Sequence, residues 1–186
     1  DHSTPRARWD YSATQHIMRA DLPLGEGGAD RRVVMQAPKN GFFYVLDAAD
    51  GELISATPFT QQNWTTGEFD ENGRPVLIQD AVDMALTVVI PGPTGAHNWH
   101  PMAFNPDTGL VYIPVNEIPF FYDKTRNVKD SKSWWNIGYD AAAGWPVEYP
   151  AGTLDAVADM DGGSLLAWDP VKAEPRWAVP FALPLN

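Results

Sequence analysis

Two stretches of this chain carry the same pattern, Phe43-Tyr44-Val45-Leu46-Asp47 and Leu165-Leu166-Ala167-Trp168-Asp169. Each is a run of strand-forming residues closed by an Asp, and each leads through a turn into a second such run. Two further runs precede each. Residues 15–22, 32–37, 42–47 and 53–57 form one set of four candidate strands, and 100–105, 110–115, 163–168 and 175–180 form a second. Within the first set the connections are Pro23 to Gly28, Pro38-Lys39-Asn40-Gly41 and Ala48-Ala49-Asp50-Gly51, short enough to require antiparallel pairing. In the second set Ala167, Asp169 and Trp177 have the spacing of a turn that lets a strand-end Trp dock on a neighbouring sheet. Ser55 stands at the corresponding place in the first set. No long segment keeps apolar residues at helical spacing without Gly or Pro interrupting, and 17 Pro, 15 Gly and eight Trp in 186 residues suit many short strands joined by tight turns.

Repeated four-stranded sheets are propeller blades, and about four to eight of them close a ring. Two cannot. The chain therefore reads as all-β and as an internal segment of a larger propeller. Blade 1 spans about 15–57, an insert follows at 58–99, and blade 2 spans about 100–180 with an insert at 116–162. The start at Asp1, without an initiator Met or a signal-peptide pattern, points the same way. A complete small β-sandwich would need about seven strands at regular spacing, which the long insert at 116–162 fits poorly. Composition narrows the partners. The chain is 44% hydrophobic and 20% charged, which excludes a disordered chain, and its apolar runs are too short to span a membrane. A net charge of −11 opposes binding to a phosphate backbone, so no nucleic-acid partner is expected. The absence of Cys excludes a disulfide framework, a thiolate zinc site and haem attachment within these residues.

In an up-and-down blade the connection into the first strand and the loop between the second and third lie on one face of the ring. Asp10, Lys39 and the run His97-Asn98-Trp99 all fall on that face, and both inserts rise over it. Long connections crowded on one face commonly build a site. A carboxylate, an ammonium and an amide brought together suit a planar, anionic, carbonyl-rich ligand, because Lys donates, Asn both donates and accepts, and a carboxylate can act as a base. Singly each has a plain structural explanation: Asp10 as a turn cap, Lys39 as a solvated turn residue, Asn98 bonded to its own backbone.

Other motifs are weaker. His97 and His100 form a His-x-x-His with no third ligand in sequence. Asn63-Trp64-Thr65 is a formal glycosylation sequon. Gly25 to Gly28 opens no helix and is a poor phosphate loop. Phe120-Phe121-Tyr122 and Trp134-Trp135 either line an entrance or pack an insert onto the rim.

The order of Trp9-Asp10-Tyr11-Ser12, then Ala37-Pro38-Lys39-Asn40-Gly41-Phe42-Phe43-Tyr44-Val45-Leu46-Asp47, then Gly95-Ala96-His97-Asn98-Trp99 and Leu165-Leu166-Ala167-Trp168-Asp169-Pro170 resembles the pyrroloquinoline quinone (PQQ) dependent alcohol dehydrogenases. The likeness is strongest to their quinohaemoprotein and ethanol-type branch and runs over nearly the whole chain. It implies an eight-bladed periplasmic propeller with PQQ and calcium on the ring axis, a small alcohol as substrate, and a cytochrome or other electron acceptor. By resemblance Asp10 matches the catalytic base and lies near the calcium. Lys39 matches the cation that bonds the quinone oxygens, and Asn98 and Trp99 match a cofactor-contacting pair. Methanol dehydrogenases tend to carry Arg where Lys39 stands, which argues against methanol. Lanthanide-using members add an Asp at the place of Ser12, so calcium is the metal implied.

The calcium-ligating Glu and Asn, the vicinal Cys pair over the quinone and the Trp stacked beneath it, which the resemblance implies, belong to blades outside this chain. No Cys-x-x-Cys-His is present, so a haem c, where the parent has one, lies elsewhere. The isolated segment is expected neither to hold PQQ tightly nor to turn over alcohol. The competing expectation is a non-catalytic propeller scaffold or binding module.

Overall fold

The turns that close the repeated strands are built by their Asp residues. Asp47 Oδ1 accepts the Ala49 N–H at 2.6 Å, and the Gly51 N–H donates to the Asp47 carbonyl at 3.0 Å, with Gly51 at φ +80°. In the second set Asp169 Oδ1 accepts the N–H groups of Val171 at 3.1 Å and Lys172 at 3.0 Å. Ala173, at φ +54°, occupies the place of Gly51. The same hairpin geometry is thus imposed twice by one side chain bonding to the backbone ahead of it.

The computed structural model describes residues 4, 9–82, 88–121 and 162–181. Its strands are β1 (Met18–Leu22), β2 (Arg31–Gln36), β3 (Phe42–Asp47), β4 (Leu53–Pro58), β5 (Thr65–Phe69), β6 (Pro75–Leu77), β7 (Val88–Val89), β8 (Ala103–Asn105), β9 (Leu110–Asn116), β10 (Phe120–Phe121), β11 (Gly163–Asp169) and β12 (Glu174–Pro180). A one-turn helix, α1 (Gln79–Val82), follows β6. Strands β1-β2-β3-β4 make one antiparallel meander, and β12-β11-β9-β8 make a second sheet.

The sheets pack through alternate residues, as the two-residue period of a strand requires. Val33, Met35, Phe43 and Val45 of the first sheet meet Val111, Ile113, Val115, Leu166 and Trp168 of the second. Phe43 and Trp168 lie with ring centroids 5.8 Å apart. Each buried side chain of this size stabilises the packing by about 1.5–3 kcal/mol. The intervening residues Phe42 and Tyr44 point to the opposite face, into an aromatic cluster with Trp9, Tyr11, Trp64, Ala81 and Val89.

Several expectations are corrected in detail. The first strand begins at Met18 rather than 15, because the side chains before it are engaged elsewhere: Gln15 Nε2 donates to the His97 carbonyl at 3.1 Å, and His16 Nε2 lies 3.1 Å from the Met102 carbonyl oxygen. The candidate strand at 100–105 likewise shortens to Ala103–Asn105. The insert at 58–99 contains the β5–β6 hairpin, whose turn is closed by the Gly73 N–H on the Asp70 carbonyl at 2.9 Å. β7 pairs with β10, Val89 opposite Phe120, which joins the two inserts.

Trp177 does not dock on a neighbouring sheet among the described residues. It pairs with Ala167, on the face opposite the inter-sheet core, is 43% exposed, and meets Tyr112 of its own sheet at 5.8 Å. Tyr122 and Trp134-Trp135 lie outside the described residues. No helix among those described is long and apolar enough to cross a membrane.

Candidate functional site

Lys39 sits in the turn between β2 and β3, and local chemistry fixes that turn. Asn40 Oδ1 accepts the Phe42 N–H at 3.1 Å, Asn40 Nδ2 donates to the Tyr44 hydroxyl at 2.8 Å, and the Gly41 N–H reaches the Pro38 carbonyl at 3.3 Å. Burial of the Tyr44 ring drives its hydroxyl well above the usual phenol range, so it remains a neutral partner for Asn40. The segment that follows the first insert runs alongside. The Ala96 N–H donates to the Lys39 carbonyl at 2.9 Å. Gly95, at φ +83°, lies against the Lys39 stem so closely that a Cβ placed on it would meet Lys39 Cβ at 2.5 Å and Cα at 2.6 Å.

This packing leaves the Lys39 side chain 9% exposed, with its ammonium aimed at Asp10. Nζ donates to Asp10 Oδ2 at 2.8 Å and to the Asp10 carbonyl at 3.2 Å. Two of the three N–H groups of the ammonium are thereby directed at one residue, and the 38%-exposed Asp10 carboxylate remains reachable from solvent. A buried ammonium is tolerated only when paired in this way.

The backbone beneath Asp10 is unusual. Trp9 at φ +60° and Asp10 at φ +61° are consecutive non-glycine residues in the left-handed region, a conformation that costs about 1–3 kcal/mol per residue. The Ser12 N–H closes the turn on the Asp10 carbonyl at 2.8 Å. Trp9 and Tyr11 pack on Trp64 with centroids 6.1 and 5.6 Å away, and the Tyr11 hydroxyl donates to the Pro91 carbonyl.

Asn98 lies two residues beyond the Ala96–Lys39 bond. Its side-chain oxygen is buried and has no hydrogen-bond partner among the described residues, an acceptor that a ligand donor could satisfy. Trp99 beside it is 85% exposed. The structure thus brings Asp10 and Lys39 into direct contact and places Asn98 on the adjoining segment, while the Trp99 ring stands in solvent.

His97 is structural: Nδ1 lies 2.6 Å from the Ala37 carbonyl oxygen and Nε2 lies 2.6 Å from that of His100, and burial lowers its basicity. No group of three or more His, Cys, Asp or Glu gathers among the described residues, so these supply at most part of a metal's ligand set. The sequon is also spoken for. Asn63 Nδ2 donates to the Val88 carbonyl at 2.9 Å and its Oδ1 accepts the Ile90 N–H at 2.8 Å.

Sequence reasoning missed the packing residues around the pair, Gly95 and Trp64. Gly95 left a signal as the first residue of the Gly95-Ala96-His97-Asn98-Trp99 run, though not of its packing on Lys39. Trp64 left none, because its neighbours come from three separate parts of the chain.

Stacked four-stranded antiparallel meanders, with Lys39 at the turn between the second and third strands of the first and Asp10 on the segment leading into it, define a segment of a β-propeller. No protein-family model matches the chain. It is 42% identical over 191 residues to the quinohemoprotein alcohol dehydrogenase ADH-IIG of Pseudomonas putida, covering 99% of this chain and 26% of that protein. It is 41% identical to the dehydrogenase subunit of the alcohol dehydrogenase (quinone) of Acetobacter aceti, covering 99% of this chain and 25% of the relative. Among solved structures, the Pseudomonas putida ADHIIG enzyme superposes with a TM-score of 0.72 at 39% identity over 94% of this chain and 26% of its own. A europium-containing methanol dehydrogenase superposes with a TM-score of 0.70 at 26% identity, over 95% of this chain and 29% of its own. Over nearly its whole length the chain is homologous to a segment of the quinohaemoprotein and PQQ-dependent alcohol dehydrogenases, and it spans about a quarter of the length of these relatives.

Proposed function

We propose that this chain carries the general base and the quinone-facing cation of a PQQ-dependent alcohol dehydrogenase that oxidises primary alcohols. The observation that carries the reading is the Asp10–Lys39 contact at 2.8 Å. A scaffold has no need for an ammonium buried against a carboxylate whose backbone is held in the left-handed region at a cost in stability.

PQQ, when bound, supplies an electrophilic quinone that accepts a hydride. The chain's own residues divide the remaining work. Asp10, reachable from solvent, takes the proton of the alcohol hydroxyl on its carboxylate as the C–H bond breaks. Lys39 holds that carboxylate in place and presents its positive charge where negative charge develops on the cofactor's oxygens. Asn98 offers its unpaired buried oxygen to a cofactor N–H or hydroxyl, and Trp99 contributes its exposed ring as a contact surface.

Calcium, a hard cation for oxygen donors, would sit near Asp10 and be held by the Glu and Asn of further blades, keeping the carboxylate ionised. One blade is the sheet β1 to β4 and the other the sheet of β8, β9, β11 and β12. The parent protein is periplasmic and passes its electrons to a cytochrome or a quinone. The segment by itself neither holds PQQ tightly nor turns over alcohol.

The test is Asp10→Asn in the full-length parent. Dye-linked alcohol oxidation is expected to fall by about 10²- to 10⁴-fold, with PQQ still bound. Unchanged turnover would remove Asp10 from the chemistry.

A further inference from the structure

We propose that Trp64, in the first insert and remote in sequence from the charged pair, is the positioning residue that holds Asp10 within reach of Lys39. The inference rests on the reading of Asp10 as base.

Asp10 is flanked by Trp9 and Tyr11, and both rings lean on the same indole, 6.1 and 5.6 Å from it and 5.8 Å from each other. Trp64 itself is wholly buried and is backed by Phe42 at 5.9 Å in an edge-on contact. Left-handed φ values at Trp9 and Asp10 are disfavoured for residues with a Cβ, so surrounding contacts must hold the turn against relaxation. The aromatic trio does so on both sides of Asp10, and the Tyr11 hydroxyl on the Pro91 carbonyl pins its far side.

Lys39 is fixed independently, through the Ala96 N–H and the close approach of Gly95. The two halves of the ion pair therefore rest on different supports. Removing the indole should move Asp10 and leave Lys39 where it is. The functional signature is specific: the chemical step slows while cofactor affinity holds.

The experiment compares Trp64→Leu, Trp64→Phe and Tyr11→Phe in the full-length holoenzyme. Crystal structures give the Lys39 Nζ to Asp10 Oδ2 distance. Apo-protein titration gives PQQ affinity, and turnover of ordinary and α-deuterated alcohol gives kcat, KM and the isotope effect.

Trp64→Leu is expected to lengthen the pair beyond hydrogen-bond reach. It should lower kcat at least tenfold, about 1.4 kcal/mol in the barrier, with a larger isotope effect and with KM and PQQ affinity within threefold of the parent. Trp64→Phe, which keeps a ring under Trp9 and Tyr11, should restore at least a third of kcat. Should Trp64→Leu fail to fold, Tyr11→Phe carries the test, with at least a threefold fall in kcat expected and an unchanged kcat overturning the proposal.

An unmoved Asp10 in Trp64→Leu, a kcat within twofold of the parent, or PQQ affinity falling in step with kcat would each overturn it. Failure of the base reading is seen separately, as full turnover in Asp10→Asn.

Discussion

Replacing Gly95 by Ala tests how the site is packed from the side of Lys39. Two separate penalties follow from the structure. The first is conformational: φ of +83° places an L-residue in the left-handed region, at about 1–2 kcal/mol. The second is steric. The new Cβ would meet Lys39 Cβ at 2.5 Å, Cα at 2.6 Å and Cγ closer still, and two of those atoms cannot swing away because they are backbone or bonded to it. Forced overpacking of this kind costs about 1–3 kcal/mol.

Gly51→Ala separates the two penalties. Gly51 sits at φ +80°, but nothing lies within 4 Å of its added Cβ, so only the conformational penalty applies. Hydrogen exchange in the full-length protein is the suitable assay, because it reads local opening free energies directly. The amide of Ala96 is bonded to the Lys39 carbonyl and reports on opening of the segment. Gly95→Ala should accelerate its exchange by about 30- to 5,000-fold, the equivalent of about 2–5 kcal/mol. Gly51→Ala should accelerate exchange in its own turn by about 5- to 30-fold. Equal effects at the two positions would refute the close approach of Gly95 to Lys39 as the reason for glycine there.

Two further outcomes follow from the fold. Asp47 is held below the usual carboxylate range by the Ala49 N–H and then by the Arg31 guanidinium at 2.5 Å. With its folded pKa lowered, the stabilisation it gives is complete above the unfolded value near 3.9 and is lost as pH falls through the folded value. Asp47→Asn should therefore flatten the acid limb of a pH–stability curve below about pH 4 and leave its shape near neutrality unchanged. In the inter-sheet core, Ile113 is fully buried, and Ile113→Ala should destabilise by about 2–5 kcal/mol in urea unfolding; a loss under 1 kcal/mol would contradict the packing of the two sheets.

The sheets were legible because their signals are local. A β-branched or aromatic run followed by Asp and a left-handed residue four places on specifies strand, turn and strand within a dozen residues, and β3–β4 and β11–β12 follow that rule. The β5–β6 hairpin departs from it, with left-handed Gly73 only three places after Asp70, and its strands are short: Thr65–Phe69 carries a Gly and a Glu among its five residues. The start of β1 was misplaced because Gln15 and His16 spend their hydrogen bonds on a segment some 80 residues away, which no periodicity records.

The site divides the same way. Asp10 and Lys39 could be assigned to one face from topology, yet their contact depends on a left-handed turn at Trp9-Asp10 that two ordinary L-residues do not advertise. The close approach of Gly95 and the burial of Trp64 are products of three chain segments meeting, and they became visible only in three dimensions.

Strand β3 alternates between two interiors. Phe43 and Val45 belong to the core that joins the sheets, while Phe42 and Tyr44 belong to the aromatic cluster beneath Asp10. One strand therefore serves as a party wall, with blade cohesion written on its odd-numbered residues and site architecture on its even ones. Evolution can retune the surroundings of the charged pair through Phe42 and Tyr44 without loosening the stack of blades. Adjacent positions in this chain thus answer to different selective demands.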